Sequence, residues 1–184
     1  NLVTSIFLDF AQLEDFNFEI QEKYAEIEKN EVLYEEYKTE DAEIVLVSYG
    51  TSSRLSRTAV DVAREKGIKL GLLRPVTLFP FPKMKIKELA DKGVQFVSVE
   101  MSNGQLREDV KAAAGYDEVH LVNRMGGKLI ELKDILNEIY DMVGIDERHS
   151  VDSDEKGYDP SYIKEKHYQD ELNNDNYYNH RVVD

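Results

Sequence analysis

Apolar runs alternate with polar, helix-spaced stretches through the middle of this 184-residue chain. The clearest unit is Glu43 to Pro82, where Ile44-Val45-Leu46-Val47 reads as a buried strand running into Ser48-Tyr49-Gly50-Thr51. Leu55, Ala59, Val62 and Ala63 then recur at helical spacing, and Gly67 is placed to end that helix. A second apolar run, Ile68 to Leu73, leads into Arg74-Pro75. Strand, helix and strand within about thirty residues is a βαβ unit, with a right-handed crossover.

The pattern then repeats. Lys83 to Lys92 predicts a short helix stopped by Gly93, and Val94 to Val99 a strand. Gln105 to Ala114 predicts a helix, Glu118 to Val122 a strand, and Glu131 to Val143 a last helix closed by Gly144. Such alternation implies a three-layer α/β/α domain whose mainly parallel sheet is covered on both faces. Upstream, Thr4 to Leu8 is expected as a short edge strand. Phe18 to Tyr37 is expected as one Glu- and Lys-rich helix with a narrow stripe at Ile20, Tyr24, Ile27 and Tyr34. A stripe so narrow suits either an arm laid against a neighbour or a helix on the edge of its own domain. Beyond Arg148 the periodicity dissolves into polar, Asn- and Tyr-rich sequence, expected to be a mobile tail. The chain therefore divides into a linker region (1–41), an α/β domain (42–146) and an acidic tail (147–184).

Charge sharpens that division. Residues 1–41 carry −9, residues 42–144 carry +1 and residues 145–184 carry −6. With acidic flanks and no basic stripe, a nucleic-acid partner is not expected. No apolar run approaches the roughly 20 residues that span a membrane, and no signal-peptide pattern opens the chain. A soluble, cytoplasmic protein is the expectation. Asn at residue 1 is what a fragment or a processed product would show. With no cysteine, the chain has no disulfides and no thiolate ligand for zinc or an iron–sulfur cluster.

Chemistry has three candidate loops, each following a strand, where open α/β sheets collect ligands. Gly50, Thr51 and Ser52 form a turn able to hold an anion, or simply a tight turn with a Ser or Thr helix cap. Met101 to Gln105 reads the same way, with Ser102 or Asn103 as cap. Arg124-Met125-Gly126-Gly127 pairs a cation with flexible backbone, suited to a partner's carboxylate or to a turn. Glu100 ends a strand where a catalytic carboxylate would sit, although a structural partner for Arg74 or Arg124 is the expected role. His120 lies in an apolar strand and is expected in the core. His149, His167 and His180 lie in the tail and lack the convergence a metal needs. The GxSxG, HExxH, GxGxxG and GxxxxGK[ST] patterns are absent, so no catalytic or metal residue is assigned. Arg74 to Pro82 (RPVTLFPFP) holds Leu78, Phe79 and Phe81 on a proline-stiffened loop, which suits an interface or a loop folded back on its own sheet.

Several of these motifs occur together in one order: Tyr49-Gly50-Thr51-Ser52 with Arg54, Arg74-Pro75 with Thr77-Leu78 and Pro80-Phe81-Pro82, Glu100-Met101 with Gly104-Gln105, and Arg124-Met125-Gly126-Gly127. Over residues 5–144 the chain resembles the C-terminal domain of the alpha subunit of 2-oxoacid:ferredoxin oxidoreductases, particularly the 2-oxoisovalerate and 2-oxoglutarate members. Gln21 to Tyr34 looks like the linker helix that precedes this domain there. The resemblance implies a five-stranded sheet with one antiparallel edge strand, similar to the transketolase C-terminal domain. It implies an enzyme complex that converts a 2-oxoacid, coenzyme A and oxidised ferredoxin to acyl-CoA, carbon dioxide and reduced ferredoxin. In that family this domain joins subunits, with Arg74, Leu78, Phe79, Phe81 and Arg124 as the implied interface here. Thiamine diphosphate, Mg and the iron–sulfur clusters belong elsewhere in the complex, as do the sites for ferredoxin and coenzyme A. Two other readings stay open: the equivalent domain of a 2-oxoacid dehydrogenase beta subunit, and a free-standing anion- or nucleotide-binding module.

Overall fold

Ile44–Val47 (β2) is buried at all four positions, because it has a parallel neighbour on each edge and a helical layer on each face. It is the centre of the computed structural model, which describes residues 6–145. The remaining strands are β1 (Tyr34–Tyr37), β3 (Leu70–Pro75), β4 (Gln95–Glu100) and β5 (Val119–Asn123). The helices are α1 (Phe10–Asn30), α2 (Gly50–Glu65), α3 (Lys83–Asp91), α4 (Gln105–Ala114) and α5 (Leu132–Val143). The sheet order is β1-β3-β2-β4-β5, with β1 antiparallel to β3 and the other pairs parallel. That is the mainly parallel five-stranded sheet expected, with its single antiparallel edge.

Successive strand residues face opposite layers, and the two cores divide accordingly. Ile44, Leu46, Leu70, Leu72, Val97 and Val99 pack with Ala59, Val60 and Ala63 of α2 and Ile135, Ile139 and Tyr140 of α5. Val45, Val47, Leu73 and Phe96 pack with Ile86 and Leu89 of α3 and with Leu106 and Val110 of α4. Burying a side chain of this size stabilises by about 1.5–3 kcal/mol, so the two clusters dominate the energetics.

The N-terminal region departs from expectation. Residues 6–8 are not strand, while 4 and 5 lie outside the described residues. The single helix expected over Phe18–Tyr37 is instead a longer α1 ending at Asn30, followed by β1. The N–H of Glu31 closes the helix on the Ile27 carbonyl, and the Asn30 amide bonds the Glu26 carbonyl. Tertiary pairing then decides the state of Tyr34–Tyr37: Glu35 lies opposite Arg74 in register, and their side chains meet at 2.8 Å. Tyr34 joins the α3/α4 core and Tyr37 the α2/α5 core, as odd spacing in a strand requires. The sheet thus begins before residue 42, where the α/β domain was expected to start. No residue of α1 is buried. The tail expected after Arg148, with His149, His167 and His180, lies outside the described residues.

Candidate functional site at the carboxyl edge of the sheet

Chain order reverses between β2 and β4, since α2 lies on one face and α3 and α4 on the other. The loops after these two strands therefore flank the place where such sheets usually take a ligand. After β2, Gly50 opens α2 at φ +59, a conformation that disfavours a side chain. The cap position is held by Tyr49, without a side-chain cap bond, rather than by the Ser or Thr expected. Ser52 and Ser53 are buried, and the Ser53 hydroxyl donates to the Gly50 carbonyl at 2.7 Å. The Ser56 hydroxyl donates to the Ser52 carbonyl at 2.9 Å, and Ser48 donates to Ser56 at 3.0 Å. These hydroxyls lock the turn to its own helix. Of the three anion candidates, Gly50, Thr51 and Ser52, only Gly50 and Thr51 are exposed.

The loop after β4 is organised by a carboxylate from the protein itself. Glu100 is 2% exposed and accepts from the Ser98 hydroxyl at 2.9 Å, the Ser102 hydroxyl, the Leu106 N–H at 3.2 Å and the Arg107 N–H at 3.0 Å. It fills the position at the start of α4 that an external anion would take. Burial pushes the Glu100 pKa up, but the two hydroxyls and two N–H groups outweigh it and hold the carboxyl below its usual range. Neither arginine expected beside Glu100 is its partner. Arg74 pairs with Glu35, and Arg124 pairs with Asp134 and donates to the Asn123 carbonyl at 2.9 Å. Ser102 and Asn103 do not cap α4 either; Gly104, at φ +95, holds that position. Its place at a strand end marks Glu100 in the sequence, but its partners are hydroxyls and backbone N–H groups rather than the cations expected.

The loop after β5 is tied to the one after β4. The Asn123 amide donates to the Ser102 carbonyl at 2.8 Å, and Asp134 draws Arg124 towards the start of α5. Asp134 also accepts from the Glu131 N–H at 2.8 Å, completing a capping box with Glu131. His120, expected in the core, is exposed instead and bonds Glu138 at 2.7 Å through Nδ1. The reason is position: on the edge strand β5 the α5 layer covers Val122 but leaves His120, on the same face, at its margin beside Glu138.

The Arg74–Pro82 loop splits its aromatics. Phe81 is 8% exposed and packs in the α3/α4 core, so it lies inside the domain rather than on its surface. Phe79 is 59% exposed and Leu78 is 49% exposed. The loop is held by Thr77, whose hydroxyl donates to the Pro80 carbonyl at 2.7 Å, and by the Val76 N–H, which bonds the Leu33 carbonyl at 2.9 Å. The Phe79–Pro80 bond is cis. Tyr24 of α1, whose ring meets Phe79 edge-on with centroids 5.6 Å apart, completes this surface. Helical periodicity identified Tyr24 as part of a stripe but not its partner.

Fold and edge together define a three-layer α/β domain whose strand-end loops bind one another. Residues 42–135 match the family model described as pyruvate:ferredoxin oxidoreductase core domain II, and the chain belongs to that family. A ketoisovalerate oxidoreductase subunit VorB from Methanothermobacter marburgensis is 67% identical over 144 residues, which are 78% of this chain and 41% of the relative. A 2-oxoglutarate synthase subunit KorA from Methanothermobacter thermautotrophicus is 40% identical over 109 residues, 59% of this chain and 29% of the relative. The chain thus spans about two fifths of the length of the VorB relative. Among solved structures, a 2-oxoglutarate:ferredoxin oxidoreductase from Magnetococcus marinus shares the fold, with a TM-score of 0.65 at 17% identity, covering 74% of this chain and 24% of that one.

Proposed function

We propose that this domain is the assembly domain of a subunit of a 2-oxoacid:ferredoxin oxidoreductase, with a branched-chain 2-oxoacid as substrate. The complex would convert that 2-oxoacid, coenzyme A and oxidised ferredoxin to acyl-CoA, carbon dioxide and reduced ferredoxin. The observation that carries this reading is the 67% identity to the ketoisovalerate oxidoreductase subunit along most of the chain. Support for a non-catalytic role comes from the carboxyl edge, where Glu100 is committed to hydroxyls and N–H groups of the domain itself. Among the described residues no group of His, Asp and Glu is arranged to hold a metal.

The residues present do not fit an iron–sulfur cluster, since the chain has no cysteine. Nor does the sequence hold a GDG-type diphosphate motif, and Glu100 occupies the anion position of α4. We therefore assign thiamine diphosphate and the clusters to other parts of the complex. Arg74, Leu78, Phe79 and Arg124 are proposed to face neighbouring subunits, with Phe81 supporting the loop from beneath. Among the described residues no helix is long and apolar enough to cross a membrane.

Two measurements test this. Calorimetric titration of the chain with thiamine diphosphate and Mg²⁺ is expected to give no binding heat; stoichiometric binding at micromolar affinity would overturn the assembly reading. The complete subunit, purified with its complex, is expected to reduce ferredoxin with ketoisovalerate and coenzyme A faster than with 2-oxoglutarate or pyruvate. A preference for either of the other acids would overturn the substrate assignment.

A further inference from the structure

A helix of 21 residues, about 31 Å long, gains little stability alone in water and normally depends on covering its apolar face. In α1, Leu13, Phe16, Ile20, Tyr24 and Ile27 recur at steps of three and four and share one face, yet none of them is buried. The stripe does not end with the helix. Tyr24 meets Phe79 edge-on, and Phe79 and Leu78 extend the apolar ridge onto the α/β domain. The C-terminal half of α1 is fastened there, by the Tyr24–Phe79 contact and by Lys83 to Glu28 at 3.2 Å.

Charge selects what covers the ridge. From Phe10 to Asn30 the helix has six acids and two bases, and from Phe10 to Glu22 it has four acids and no base. At 100° per residue, Glu14 and Glu19 lie on opposite flanks of the stripe. A second copy of this chain would set one acidic arm against another. The chain's own residues 145–184 carry −6 and meet the same repulsion. An anionic lipid surface is opposed for the same reason, since helices that lie on such surfaces carry basic flanks. Complementarity requires the opposite sign around an apolar centre.

We infer that the α1 stripe, continued by Leu78 and Phe79, docks into an apolar groove rimmed by lysine and arginine on a different polypeptide of the complex. The inference rests on the reading that this domain serves subunit assembly, and gives that assembly a defined element and a partner of defined chemistry. Because α1 contributes no buried residue, its substitutions leave the α/β domain intact and report on docking alone.

The test uses the complete subunit in its purified complex. A photo-crosslinking amino acid at Leu13, with the adducts mapped by mass spectrometry, is expected to join α1 to a Lys- or Arg-bearing segment of another subunit. Glu14→Lys with Glu19→Lys should slow association about tenfold at low salt, with the difference gone near 1 M salt. Ile20→Ser should weaken assembly roughly thirty-fold without moving the thermal midpoint of the free subunit. Adducts confined to the same polypeptide or to a second copy would overturn the inference, as would a charge-reversed complex that assembles at the unaltered rate. Ferredoxin reduction by a 2-oxoacid, measured on the same samples, separates the two levels. Activity without an inter-subunit adduct defeats the docking inference alone, while a subunit that neither assembles with others nor shows activity defeats the assembly reading and the inference with it.

Discussion

The carboxylate of Glu100 lies 3.0 Å from the backbone N–H of Arg107, so β4 ends in the anion that caps the next helix. Strand, loop and helix are joined through one buried side chain. Removing its charge turns a donor towards one of the two helix N–H groups and weakens the acceptor left to the other.

Glu100→Gln is expected to lower the stability of the domain by about 2–3 kcal/mol at pH 7, because an amide N–H₂ is turned towards backbone donors. The folded-state pKa lies below the ordinary value of 4.5. The stabilisation is therefore fully present above that value and is lost as pH falls through the folded pKa. Denaturant midpoints of both proteins, measured from pH 7 downwards, should begin to converge as pH falls below the ordinary value of 4.5. A gap that stays constant would show that the charge is not what matters.

Phe81→Ala should cost about 3–5 kcal/mol of folding stability, since Phe81 is a core residue. Phe79→Ala, at an exposed position, should change it by no more than about 1 kcal/mol while weakening assembly. Urea unfolding of the two variants checks the first half of this contrast, and native mass spectrometry of the complex checks the second. Equal losses of stability would contradict the division of the two rings.

Gly71 has ordinary backbone angles, yet a Cβ there would lie 2.7 Å from the Lys38 carbonyl and 3.0 Å from Ala42 Cβ. The Lys38 carbonyl is held in place by the Arg64 guanidinium at 2.7 Å and has little room to yield. Gly71→Ala is expected to destabilise by about 1–3 kcal/mol through overpacking. Combining it with Arg64→Ala should cost less than the sum of the two, which a double-mutant cycle by thermal unfolding can read.

Asp134 accepts from the Glu131 N–H and pairs with Arg124, so one carboxylate both caps α5 and anchors the loop after β5. Asp134→Ala should cost about 1–2 kcal/mol. It should also raise hydrogen-exchange rates over residues 124–131, whereas Lys133→Ala, which removes an exposed pair with Glu131, should leave both nearly unchanged.

Where periodicity and burial agree, the fold was legible. β2 reads as a continuous apolar run because it is covered on both faces, and α4 has the expected span although Gly104, not Ser102 or Asn103, is its cap. β1 was missed for a specific reason. Ile27 and Tyr34 are seven residues apart, so the helical stripe runs on past Asn30, and Tyr-Glu-Glu-Tyr matches the helix before it in composition. What makes it a strand is Arg74, distant in sequence, lying opposite Glu35. Phe81 and Phe79 could not be separated by composition, because two residues with the same character on one loop face opposite ways. Glu100 was singled out by its position at a strand end, but its partners emerge only when α4 docks against β4.

The antiparallel pairing of β1 with β3 also bears on how the domain is made. Tyr34 emerges from the ribosome well before Pro75, its partner across the sheet. At about 5–20 residues per second this leaves β1 waiting roughly 2–8 s for its template. The α1 helix needs only local bonds and can form during that interval. The arm can thus complete its own hydrogen bonds before the strand behind it has found its partner in the sheet.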